Sequence, residues 1–193
     1  YAQILYNEIN SNSTYEYFNG NHNNINISFI SQLKKFNKIP SSFNIPFMYA
    51  IPKFHKNPIK FRFITSSVYS INKDISIILN CILDKLNKKI ESDSEFNWII
   101  KNNTKVLDAL SDCNSNPDHL GNIMITTFDF STLYTNLPHD DLIRCIVALF
   151  NKYVTSDIEI CYNYRNIKVS KVNFVDILKF CIRNNFIKFN NNI

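Results

Sequence analysis

Between residues 71 and 90, Ile71, Ile75, Ile78, Leu79, Ile82, Leu86 and Ile90 recur at helical spacing. That period lines the apolar side chains along one stripe of an α-helix, which must be buried against another element. The stretch before it carries the opposite restriction. Pro40, Pro46, Pro52 and Pro58 recur every six residues. A proline inside a helix removes a hydrogen bond and clashes with the preceding turn, so extended segments and turns are expected from Ser41 to Pro58. Residues 59–68 (IKFRFITSSV) then alternate Ile59, Phe61, Phe63 and Thr65 with Lys60, Arg62 and Ile64. This is the two-residue period of a strand, with Lys60 and Arg62 on the same face.

The remaining segments follow the same rules. Residues 25–36 (INISFISQLKKF) suggest a short helix, and another is expected from a Thr104 cap to about Leu110. The polar run Ser111–Gly121 reads as a loop. Residues 122–129 (NIMITTFD) read as a strand ending at Asp129, and Pro138 opens a helix with Leu142, Ile143, Ile146, Leu149, Phe150 and Tyr153 on one face. A small strand pair over 162–169 and a helix over 171–183, carrying Val175, Leu178, Cys181 and Ile182, complete the expectation. Strands and helices are mixed without a repeat, so the class is α+β (or mixed α/β). The 193 residues suit one domain or part of a larger one. Because the first residue is Tyr1 rather than Met, the chain is expected to be a processed form or a piece of a longer protein.

Composition narrows the function classes. No apolar run approaches the roughly 20 residues of a membrane helix, so no membrane partner is expected. The cysteines (Cys81, Cys113, Cys145, Cys161 and Cys181) are odd in number and contain no CxxC pair. A disulfide framework or zinc site is not expected, and reduced thiols point to an intracellular compartment. Asn and Ile number about thirty each, and Lys is 17 against 4 Arg. These are residues of A/T-rich codons, so Asn runs such as Asn21–Asn24 are discounted and read as polar loops.

The charge is concentrated. Residues 1–16 balance to −2, residues 17–73 to +8 with no acid at all, and residues 74–193 to −1. Phe36, Phe43, Phe47, Tyr49, Phe54, Phe61 and Phe63 lie among the cations of the middle stretch. Phosphates and stacked bases would select such a surface. A solvated lysine face over core aromatics is the alternative.

Two segments carry candidate chemistry. In residues 49–67 (YAIPKFHKNPIKFRFITSS), Pro-bounded turns present Lys53, His55 and Lys56, and the following strand presents Lys60 and Arg62. Cations held on stiff backbone suit a polyphosphate. In residues 126–139 (TTFDFSTLYTNLPH), Asp129 closes an apolar strand, where a carboxylate needs a metal or a base as partner. The turn Ser131–Asn136 offers backbone N–H groups to phosphate oxygens. A plain basic hairpin and a strand-end cap are the ordinary alternatives. Asp140 and Asp141 read as first-turn acids facing the helix dipole.

Taken in order, these segments resemble the fingers motif and palm motif A of reverse transcriptases, of the Penelope-like retroelement type in particular. The resemblance lies in Pro52-Lys53-Phe54-His55-Lys56, then Arg62-Phe63-Ile64, then Asp129-Phe130-Ser131-Thr132-Leu133-Tyr134-Thr135-Asn136-Leu137-Pro138. Residues 178–190 resemble the stretch ahead of motif B. Phe63 departs from the family's usual Pro. The resemblance implies a right-hand polymerase, with a polar segment over 1–24, fingers over 25–121 and the beginning of the palm over 122–193. It implies transfer from deoxynucleoside triphosphates onto a DNA primer along an RNA template, with two Mg²⁺ ions. Asp129 would bind both ions and the Phe130 carbonyl one of them. Lys53 and Arg62 would neutralise the triphosphate, and the backbone of Thr132 and Leu133 would cradle it. Tyr134 would stand against the sugar 2′ position, while His55, Lys56 and Lys60 would touch nucleic acid. A nuclear location is implied by the family alone. The family's motif B and YxDD motif C do not occur by Ile193, so this piece alone is expected not to polymerise. A catalytically dead nucleic-acid-binding relic, a telomerase-type enzyme and a plain globular fragment are the alternatives.

Overall fold

The computed structural model describes residues 7, 18, 20–66, 68–93, 102–115, 126–130, 133 and 137–188. Among them are five helices and two separate two-stranded antiparallel sheets, a mixed α+β chain as the periodicities predict. The chain divides into two compact units, Tyr1–Leu86 with Pro138–Ile193, and Asn87–Leu137.

In the first unit, α1 (His22–Lys34) begins where Asn21 Oδ1 accepts from the Asn23 N–H at 2.9 Å. The discounted Asn run is therefore a helix start. Asn is among the best N-caps because its short side chain reaches an unpaired N–H of the first turn. The helix buries Ile25, Phe29 and Leu33, one residue per turn. The β1 (Met48–Lys53) and β2 (Lys60–Thr65) strands form a hairpin with Met48 opposite Thr65 and Lys53 opposite Lys60. Met48 and Ala50 are buried against Phe61, Phe63 and Ile187. That face roots the hairpin in the unit and leaves the alternate residues for solvent.

The predicted long helix is α2 (Lys73–Asp93), burying Ile75, Ile78, Ile82 and Leu86 along one stripe. Residues up to Leu86 belong to the first unit and the rest to the second. The α4 helix (His139–Tyr153) buries Ile143 and Phe150, and α5 (Lys171–Arg183) buries Phe174, Ile177 and Leu178. Phe150 stacks on Phe174 at 4.2 Å, and Phe29 meets Phe180 edge-on at 4.7 Å, so α5 is packed by both α4 and α1. Lys35 Nζ pairs with Asp176 Oδ2 at 2.7 Å across the same α1–α5 contact. The β3 (Ile158–Tyr162) and β4 (Arg165–Val169) strands form the second hairpin, four residues earlier at its start than the 162–169 pair read from the sequence. Its two-residue turn puts Asn163 and Tyr164 at φ 49 and 61, the turn whose twist matches paired strands.

The second unit corrects three expectations. Its α3 helix (Asn103–Ser115) runs well past Leu110, so 111–115 is helix, not loop. No Gly or Pro interrupts those polar residues before Pro117, and the Ser115 hydroxyl bonds the Ser111 carbonyl at 2.9 Å. The cap is Asn102, whose Oδ1 accepts from the Lys105 N–H at 3.4 Å, and Thr104 lies inside the helix. Residues 126–130 take no strand conformation, and Phe128 is 92% exposed. An apolar run becomes a strand only where a neighbour accepts its N–H and C=O groups, and no described strand pairs with it. The expected segment 122–125 lies outside the described residues.

Candidate nucleic-acid interface

The open face of the first hairpin is set by register. Tyr49 faces Ile64, Ile51 faces Arg62 and Lys53 faces Lys60 across the strands. Because side chains alternate, these six residues share one face while Met48, Ala50, Pro52, Phe61 and Phe63 occupy the other. Phe47, 58% exposed, extends the open face, its ring centroid 6.1 Å from that of Tyr49. Backbone pairing of Lys188 with Pro46 and Met48 covers the β1 edge beside Phe47. Among the described residues no strand pairs with that edge at Pro52, and such an edge is where a strand tolerates proline.

Lys60 and Arg62 are exposed and Lys53 is half-buried, the last residue of β1 and not part of a turn as the sequence suggested. Its position follows from the antiparallel pairing, which extends to the Lys53–Lys60 pair before the chain reverses. His55 and Lys56 are exposed in the connecting loop, beside Phe54 at 78% exposure. No side-chain hydrogen bond or ion pair engages Lys53, His55, Lys56, Lys60 or Arg62 among the described residues. Two lysines directly opposite on a sheet repel each other, and the sequence from 17 to 73 places no acid near them in the chain. The face is therefore electropositive, apolar towards Phe47 and cationic towards the loop.

Asp129 and Phe130 lie in the second unit, both exposed and in irregular backbone, with Phe130 at 77% exposure. Asp129 is exposed and residues 126–130 take no strand conformation, so the buried strand end expected for it is not seen among the described residues. Leu133 is helical and exposed, whereas Thr132 and Tyr134 lie outside the described residues. Among the described residues no group of three or more His, Cys, Asp or Glu could hold a metal ion. The Asp129 carboxylate and the Phe130 carbonyl suit one Mg²⁺ completed by water and phosphate oxygens. They leave a second ion without a described carboxylate of its own. Asp140 and Asp141 meet Arg183 and Arg144 respectively at the start of α4, in keeping with first-turn acids.

A buried polar cluster has no counterpart in the sequence reading. Asp74, second residue of α2, accepts from the Tyr162 hydroxyl at 2.8 Å and from the Ser41 N–H at 2.6 Å. Burial pushes the Asp74 carboxyl up, but the Ser41 and Tyr162 bonds and the Lys73 charge outweigh it and hold the group below its ordinary value. Burial and the Asp74 carboxylate push the Tyr162 hydroxyl up to about 12. Lys38 Nζ sits 5.0 Å above the Tyr162 ring centroid. An acid so near the start of a helix reads as a dipole partner, and 88 residues separate it from Tyr162, so no local signal joins the two. Their role is structural, tying the start of α2 to the second hairpin.

No helix among the described residues is long and apolar enough to cross a membrane. The chain matches no protein-family model, no curated protein and no solved structure.

Proposed function

We propose that this chain is part of an RNA-directed DNA polymerase of the Penelope-like retroelement type, with fingers over residues 25–121, the first hairpin among them, and the beginning of its palm over residues 122–193. One observation carries the nucleic-acid half of this reading. Lys53 and Lys60 oppose each other beside Arg62 on an open sheet face, with no acid paired to them among the described residues. Fixed, unneutralised cations on stiff backbone bind phosphates with little loss of side-chain freedom. The polymerase half rests on the ordered motifs, Pro52–Lys56, Arg62–Ile64 and Asp129–Pro138.

In this reading Arg62 and Lys53 neutralise the triphosphate of the incoming deoxynucleotide. His55, Lys56 and Lys60 hold the RNA template, and the Thr132 and Leu133 N–H groups cradle phosphate oxygens. Tyr134 excludes a ribose 2′-hydroxyl. Asp129 would hold both Mg²⁺ ions and the Phe130 carbonyl one of them, and the ions would supply charge to polarise the phosphoryl group and the attacking primer hydroxyl. The setting is intracellular, and the nuclear location rests on the resemblance alone. A second reading, a nucleic-acid-binding relic without catalysis, is favoured by the exposed, irregular segment around Asp129.

Primer extension on an RNA template by the full-length gene product, with Asp129→Ala as the blank, separates the two. The expected result is extension that this substitution abolishes. Extension that survives it places the chemistry elsewhere. RNA binding with no extension leaves the relic.

A further inference from the structure

We infer that Ser41 is a phosphorylation site for a serine kinase that reads cations, and that a phosphate there releases the segment after α1 from Asp74. The site lies between α1 and the first hairpin, and nothing in it depends on catalysis by this chain. Residues 38–43 take neither helix nor strand conformation, and Ser41 is exposed within them. A kinase takes its acceptor in backbone that can leave the fold, and irregular surface segments open most readily. The surrounding charge sets the class of kinase. Lys38 precedes Ser41 by three residues, Lys34 and Lys35 lie one turn of α1 further back, and no acid occurs from 34 to 42. An acidic substrate groove would select that pattern, and a kinase that requires acids would reject it. Ser42 is the neighbouring hydroxyl, but it donates to the Tyr69 carbonyl at 2.6 Å and accepts from the Asn44 N–H at 3.2 Å. Those bonds keep Ser42 in the fold.

Asp74 gives the modification a consequence. Its residue is 8% exposed, and its carboxylate accepts from the Ser41 N–H at 2.6 Å and from the Ser41 hydroxyl as well. Oδ1 of the same group takes the Tyr162 hydroxyl at 2.8 Å, and Lys38 Nζ lies 5.0 Å above the Tyr162 ring centroid. The segment is thus held down at two points, Lys38 and Ser41, on one buried cluster. In the transfer, Ser41 Oγ attacks the γ-phosphorus of a nucleoside triphosphate held by the kinase. The Oγ–P bond forms as the bond to the β,γ-bridging oxygen breaks. The nucleoside diphosphate leaves with that electron pair, and the hydroxyl proton passes to the kinase's base. The product puts a group of about −2 charge, which only accepts hydrogen bonds, where a donor stood. Reseated, the cluster would hold about three negative charges against the two positive charges of Lys38 and Lys73, in a poorly screened site. Phosphoserine therefore stays out in water, and the start of α2 loses its bond to Ser41.

The test treats the whole chain with a serine kinase that selects a cation three residues before its acceptor, together with ATP and Mg²⁺. Peptide mass spectrometry locates the phosphate. Ser41 should be modified, Ser42→Ala should leave this unchanged, and Lys38→Ala should slow it several-fold although it loosens the segment. The phosphorylated chain should melt at least about 3 °C below the unmodified one. Two variants of nearly equal shape then isolate the charge. Ser41→Glu should melt well below Ser41→Gln, and in an Asp74→Asn background the two should coincide. Circular dichroism checks that each variant folds, and if Asp74→Asn does not, the comparison of Glu with Gln in the natural chain decides. No phosphate on Ser41 of the folded chain overturns the inference, even where a peptide of residues 34–45 is modified, because the segment then does not lift. An unchanged or raised midpoint overturns it too, as does a difference between Glu and Gln that persists without the Asp74 charge.

Discussion

Replacing Tyr162 by Phe removes one oxygen from the interior and leaves almost everything else in place. The ring remains beneath Lys38 Nζ, so the cation–π interaction at 5.0 Å survives. The substitution takes from Asp74 Oδ1 its donor at 2.8 Å, while Oδ2 keeps the Ser41 N–H at 2.6 Å. A hydrogen bond to a charged group contributes about 1.5–3 kcal/mol, and stranding a buried carboxylate oxygen lies at the upper end of that range. At about 2–4 °C per kcal/mol for a chain of this size, the midpoint should drop by roughly 3–12 °C. The pH dependence adds a signature that poorer packing would not produce. Tyr162 is raised from 10.0 to about 12 on folding, so its stabilisation is complete below pH 10.0 and is lost as pH rises toward about 12. That alkaline loss should be missing from the variant. Asp74 is held below its ordinary 3.8, so its stabilisation is present above that value and is lost as pH falls through the lower folded value. With one donor gone, the folded value moves back toward 3.8, so the acid loss should be smaller and complete at higher pH. Urea unfolding across the pH range reads both limbs. Unchanged stability at neutral pH, or the same alkaline limb in both proteins, would refute the account of the cluster.

Three further outcomes follow from the fold. Ile78→Ala, at a fully buried position of α2, should cost about 2–5 kcal/mol in urea unfolding, and a loss under about 1 kcal/mol would mean that this stripe is not core. Tyr164→Gly should stabilise the second hairpin by about 1 kcal/mol, because Tyr164 sits at φ 61 with no buried surface to lose. Burial pushes the Cys181 thiol up to about 12, so in the folded chain iodoacetamide near neutral pH should alkylate exposed Cys145 and Cys161 well before it. Comparable rates for all three, read by mass spectrometry, would show that α5 is not packed as described.

The candidate interface was partly legible in the chain. Alternation over 59–65 placed Lys60 and Arg62 on one strand face, and the acid-free stretch marked that face as electropositive. The position of Lys53 was not legible, since only the strand register brings it opposite Lys60. The Asp129 segment shows the limit from the other side. Its apolar run satisfied the composition of a strand, but composition carries no information about whether a neighbour will pair with it.

The α2 stripe, the start of α4 at Pro138 and the bounds of α5 can be read from the chain alone, because those signals are local or repeat with the period of the element. Helix caps sat at the edge of that reach. Asn21 and Asn102 cap helices through bonds to N–H groups two and three residues away, and an Asn-rich chain hides such caps among many equivalents. Packing between helices selects most of the α5 core. Periodicity puts Val175, Leu178, Cys181 and Ile182 on its apolar face; Leu178 is buried as expected, but the other buried positions are Phe174 and Ile177, and Phe150 of α4 stacks on Phe174. The tertiary structure alone brought Asp74 to Tyr162, a pair whose energy depends on contact and whose separation in the chain leaves no periodic trace.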